Sequence, residues 1–123
     1  MALFIESTQK TPFICFKEGK IEIQGRSILE NALKFYKPVL DQLEKYTKNP
    51  AHTTKAIFKL EYSNSDSNKA LFRIIALLES LYKSGYTVWI EWYYEIDDDA
   101  IKNLGADFQS ITAVPVYMVE YYK

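Results

Sequence analysis

Between Thr54 and Tyr94 the spacing of apolar side chains changes from two to three or four and back to two, which restricts this stretch to a strand, a helix and a second strand. Ala56, Phe58, Leu60 and Tyr62 alternate with Lys55, Lys59 and Glu61, as in a strand buried on one face; Ile57 alone breaks the pattern. Ala70, Leu71, Ile74, Ile75, Leu77, Leu78, Leu81 and Tyr82 then recur at helical spacing, and Gly85 stands where helices often stop in a left-handed turn. From Tyr86 to Tyr94, Val88, Ile90, Trp92 and Tyr94 fall on one side and Trp89, Glu91 and Tyr93 on the other. Strands joined in this way run parallel and need a right-handed crossover.

The flanking segments extend the same plan. Ala2 to Glu6, Pro12 to Phe16 and Lys20 to Gln24 read as strands, with a hairpin at Glu18-Gly19 that turns Ile21 and Ile23 one way and Glu22 and Gln24 the other. Glu30 to Thr47 has the pattern of an amphipathic helix, with Ser27 placed to form a capping box with Glu30 and Pro38 predicting a kink or two abutting helices. Asp97-Asp98-Asp99 suits the positive end of a short helix through Ala100, Ile101, Leu104 and Phe108, and Ala113 to Tyr121 closes with a strand. The expected fold is α/β: one domain over residues 1–123, a mixed β-sheet with about three helices packed mainly on one face. At 48% hydrophobic content the chain can bury a core without metal or disulfide support.

Several function classes find little support. The net charge of −1 offers no field for nucleic acid or anionic lipid. Trp89 and Tyr93 are able to stack bases, but Glu91 and Glu95 share their strand face, so a protein-contact face or a covered core is favoured. No stretch approaches the roughly 20 apolar residues of a membrane span, and a cytoplasmic protein is expected. Cys15, the single cysteine, is expected to be a buried apolar thiol. No common catalytic motif is present, and His52 lies in a polar connection as a solvated side chain. The run Glu95 to Asp99 lacks the alternating acids and turn glycine of a calcium loop, so neither metal nor other cofactor is expected.

The polar stretch between the central strand and its helix is the remaining candidate. Asn64, Ser65, Asp66, Ser67 and Asn68, followed by Lys69, are mostly residues that cap helices and shape turns. A phosphate on a serine here would meet free N–H groups and the positive end of the helix dipole. The residues alone leave both readings open.

Gly25-Arg26-Ser27, Glu30-Asn31-Ala32, Phe35-Tyr36-x-Pro38, the Tyr62 to Lys69 stretch and Trp92-Tyr93-Tyr94-Glu95 occur together and in order. Taken jointly they resemble the SiaC family of regulatory phosphoproteins. The resemblance implies a STAS-like (anti-anti-sigma-like) fold and a non-catalytic adaptor. It selects Ser65, which follows Asn64, as the phosphoacceptor. By the same resemblance a Ser/Thr protein kinase adds the phosphate, a PP2C-type phosphatase removes it, and the unphosphorylated form activates an effector such as a diguanylate cyclase, linking the switch to cyclic-di-GMP and biofilm formation. Two positions depart from the family pattern: Asp66 stands where a small hydroxyl residue usually follows the acceptor, and Leu29 where proline commonly precedes the Glu-Asn pair. Two other classes compete. One is a constitutive interaction domain using Trp89 and Tyr93; the other is a small hydrolase using Ser65 and Asp98.

Overall fold

The computed structural model describes residues 2–122. One sheet holds six strands in sequence order: β1 (Ala2–Ile5), β2 (Phe13–Lys17), β3 (Lys20–Ser27), β4 (Thr53–Ser63), β5 (Thr87–Glu95) and β6 (Val116–Tyr121). β1, β2 and β3 are antiparallel neighbours, with Glu18-Gly19 turning the hairpin and Gly19 at φ 81°. From β3 onward all pairs are parallel, so helices must carry the chain back: α1 (Ala32–Lys48), α2 (Ser65–Lys83) and α3 (Asp99–Ile111). Each crossover steps to the next strand in the same direction, and right-handed crossovers of that kind place every helix on the same side.

The pleat agrees. Ile14, Ile23, Phe58 and Trp92 are neighbours across the sheet and fully buried beneath the helices. Phe4, Cys15, Glu22, Ile57, Glu91 and Tyr117 form the corresponding row on the other face, where no helix covers them. Cys15 is therefore half-buried rather than a core thiol, because alternation in Phe13-Ile14-Cys15-Phe16 sends Ile14 and Phe16 inward.

Two further expectations are corrected. Tyr62 is 50% exposed and does not continue the buried row of Ala56, Phe58 and Leu60. A bulge explains it: Gly25 pairs with Leu60 but Arg26 pairs with Tyr62, so Glu61 is the extra residue and the alternation resets. Gly25 accommodates this at φ 106°, a backbone conformation open to glycine. Likewise α1 is one uninterrupted 17-residue helix through Pro38, not two abutting ones. Pro38 sits on the exposed side, where the Lys34 carbonyl that loses its N–H partner can turn to water.

α3 approaches the sheet through Gly105. A Cβ there would lie well inside van der Waals contact with Cδ1, Nε1 and Cγ of the Trp92 indole, which is fully buried and fixed by its Nε1–H donating to the Ile101 carbonyl at 2.9 Å. Gly105→Ala, which at an open helical site would stabilise by up to ~1 kcal/mol, is expected here to destabilise by about 1–3 kcal/mol in urea unfolding. An unchanged or raised urea midpoint would contradict this packing.

Candidate functional site

The polar stretch read as a loop is the first turn of α2. β4 ends at Ser63, Asn64 is the N-cap, and Ser65 is the first helical residue. Every hydrogen-bonding group of Asn64 is used. Its side-chain oxygen accepts from the Ser67 N–H at 2.9 Å, its amide nitrogen donates to the Leu29 carbonyl at 2.9 Å, its N–H donates to the Ser27 carbonyl at 3.1 Å, and its carbonyl accepts from Asn68 N–H at 2.9 Å.

The three serines have different fates. Ser67 is fully buried and donates to the Ser27 carbonyl at 3.0 Å while accepting from the Ser27 hydroxyl at 2.8 Å. The Ser27 hydroxyl also lies 2.8 Å from the Tyr36 hydroxyl of α1. Ser63 donates to the Asn68 side chain at 2.5 Å. Ser65 is exposed, and its hydroxyl has no partner among the described residues. As first-turn groups, the N–H of Ser65 and Asp66 have no acceptor inside the helix. One turn on, Lys69 is exposed and has no ion pair among the described residues.

Ser27 therefore does not cap α1 as its spacing to Glu30 predicts. It ends β3 facing inward, and α1 starts two residues later than expected, at Ala32. The acceptor for the Ala32 N–H is Asp66 of α2, whose Oδ2 lies 2.8 Å away. Neither this contact nor the partnership of Ser27, Tyr36 and Ser67 has a sequence signal, because the partners are up to 40 residues apart and belong to different elements.

Trp89 and Tyr93 lie elsewhere. Both are on the uncovered face of β5, across the sheet from α2, and both donate to Glu91: Trp89 Nε1–H to Oε2 at 3.0 Å and the Tyr93 hydroxyl to Oε1 at 3.1 Å. Lys59 Nζ stands 5.9 Å from the centre of the Tyr93 ring and 4.7 Å from that of Tyr121. Desolvation, and then the Glu91 carboxylate, raises the Tyr93 phenol above its ordinary pKa. The structure thus separates the two sets of predicted site residues into opposite layers.

Of the other chemical candidates, one is committed to structure and one is remote. Asp98 caps α3, its Oδ1 accepting from Ile101 N–H at 3.0 Å. His52 is exposed before the start of β4, while Ser65 follows its end, a separation of about 35 Å along an 11-residue strand. Among the described residues no group of acidic, histidine or cysteine side chains is placed to hold a metal, and no helix is long and apolar enough to cross a membrane.

Comparison with known proteins agrees with this fold. The model of the SiaC family of regulatory phosphoproteins matches residues 5–121. An uncharacterised protein of Pseudomonas aeruginosa is 29% identical over 115 residues, which cover 92% of this chain and 91% of that one. The crystal structure of apo-SiaC from the same organism superposes with a TM-score of 0.87 at 28% identity, covering 97% of this chain and 98% of that one. A second SiaC structure from P. aeruginosa gives 0.90 at 27% identity, covering 98% and 99%. A third match, 0.87 at 27% identity with 97% and 99% covered, comes from the crystal structure of the diguanylate cyclase SiaD in complex with its activator SiaC, also from P. aeruginosa.

The buried hydroxyls make a pH signature. Burial pushes the Tyr36 phenol up to about 12 from its ordinary 10.0, an effect partly offset by the Ser27 hydrogen bond. A raised folded-state pKa means that the unfolded chain ionises first, so stability is intact below pH 10 and falls as pH rises toward 12. Unfolding experiments across that window are expected to show the wild type losing about 2 kcal/mol more than Tyr36→Phe. Parallel curves for the two proteins would contradict the assignment.

Proposed function

This chain belongs to the SiaC family of regulatory phosphoproteins, which makes it a regulator rather than an enzyme, and we propose that it is switched at Ser65. The observation that carries this reading is the contrast among neighbouring serines: Ser65 alone presents an exposed hydroxyl without a partner among the described residues, while Ser63 is bonded to Asn68 and Ser67 is sealed in the core. A Ser/Thr kinase would bring Ser65 Oγ onto the γ-phosphorus of ATP, take the hydroxyl proton on its own base and release ADP. A PP2C-type phosphatase would hydrolyse the ester with water, restoring the hydroxyl and freeing inorganic phosphate. In this reading the protein works in the cytoplasm, where the kinase finds ATP.

The effector in this reading is a diguanylate cyclase that the unphosphorylated form binds and activates, by analogy with SiaC and SiaD. Its contact is proposed to run over the outer side of α2, where Ser65, Lys69, Phe72, Arg73 and Ala76 follow one another at helical spacing and are all exposed. A phosphate adds a charge of about −2 to that surface, and Lys69 at the fourth position on is drawn to it. Cyclic-di-GMP output, and biofilm formation with it, would then follow the phosphorylation state.

A second reading rests on the uncovered sheet face. A partner seated on Trp89 and Tyr93 would meet a surface on the opposite side of the sheet, beyond the roughly 8 Å over which charges act at physiological salt. Its binding would ignore the phosphate.

Coexpression with a Ser/Thr kinase that phosphorylates this chain, followed by peptide mapping, is expected to find phosphate on Ser65 and on no other serine of the 63–67 segment, with Ser65→Ala abolishing it. Phosphate on Ser63 or Ser67, or undiminished labelling of Ser65→Ala, would contradict the assignment.

A further inference from the structure

We propose that Asp66 transmits the state of Ser65 to the start of α1, a proposal that rests on Ser65 being the phosphoacceptor. α1 begins without help from its own sequence. Its N-cap, Asn31, makes no side-chain hydrogen bond, and its first turn contains no acidic residue. The first N–H groups of a helix nevertheless need acceptors, and the positive end of the dipole favours an anion. Asp66 supplies both from the neighbouring helix, 34 residues away in sequence, with Oδ2 at 2.8 Å from the Ala32 nitrogen. Ala32 is buried and Asp66 partly so, which strengthens this charge-assisted bond.

The same carboxylate belongs to the residue after Ser65. A dianionic phosphate on Ser65 stands beside it on the first turn of α2, repels it, and occupies the free N–H groups of that turn. Lys69 provides the phosphate with a cation, whereas Asp66 has no cation paired to it among the described residues. The carboxylate can relieve the repulsion by rotating away from Ala32. The connection between Ser27 and Ala32 is then held by the Asn64 amide on the Leu29 carbonyl and by the Ile28 N–H on the Lys10 carbonyl, without the Asp66 clamp. The first turn of α1, where Leu33 is 40% exposed, loosens as a result. A partner would thus read two helix starts, of which only one carries the phosphate.

Amide hydrogen exchange by NMR on the full chain tests this, with phosphoserine inserted at position 65 during translation. Exchange at Ala32 is expected to rise about tenfold on phosphorylation, as expected for loss of a single charge-assisted hydrogen bond, while the Ser67 amide, held by Asn64, stays within about twofold. In Asp66→Asn, which keeps a neutral acceptor, phosphate is expected to change Ala32 exchange by less than about twofold. An Ala32 amide that ignores the phosphate in the wild type, or that responds equally in Asp66→Asn, overturns the coupling. Because the phosphate is installed during translation, these outcomes do not depend on any kinase: failure of a kinase to use Ser65 would sink the acceptor reading alone.

Discussion

The carbonyl of Ser27 is the point on which the arrangement turns. It accepts from the N–H of Asn64 and from the hydroxyl of Ser67, while the Ser27 side chain bridges Ser67 and Tyr36. Polar groups buried this deeply are costly unless paired, and pairing them fixes the elements that carry them. The end of β3, the body of α1 and the first turn of α2 are thereby held in one register. The bulge at Gly25 makes this possible, because an extra residue in β4 turns Tyr62 out and brings Ser63 opposite Ser27.

From that fixture the regulatory geometry follows. With Ser67 and Asn64 fully engaged, the first helical position of α2 is left facing solvent. Asp66 is turned toward α1 and Lys69 outward, so the exposed serine lies between an anchored anion and a free cation. In the proposed switch a phosphate there would change the surface while the core stays folded. The helix layer and the uncovered sheet face are separated by the sheet itself, which would divide a surface that a phosphate on Ser65 changes from one that it does not reach.

Much of the fold is legible in the sequence because its signals are local. Alternation marks β4 and β5, helical spacing marks α2, and Asp98 announces α3 as a cap. The serine-rich stretch is legible as a helix start, and resemblance to the SiaC family singles out Ser65 within it as the proposed acceptor. What fails depends on distant partners. Ser27 matches a capping box by spacing, yet faces inward to meet Ser67. Tyr62 matches a buried strand position until the bulge resets the alternation. Asp66 reads as an extra charge beside the acceptor, and only the packing of α1 on α2 reveals that it caps a second helix. Trp89 and Tyr93 read as either a protein contact or a covered core, and their position on the uncovered face, across the sheet from Ser65, requires the order of the strands.

The central claim is that one phosphate on Ser65 governs partner binding. Calorimetric titration of the purified cyclase effector with the unmodified chain and with the chain carrying phosphoserine at position 65 tests it most directly. The account predicts that phosphorylation weakens binding at least about tenfold. Equal affinity for the two forms would contradict it and move the contact to the uncovered face of the sheet.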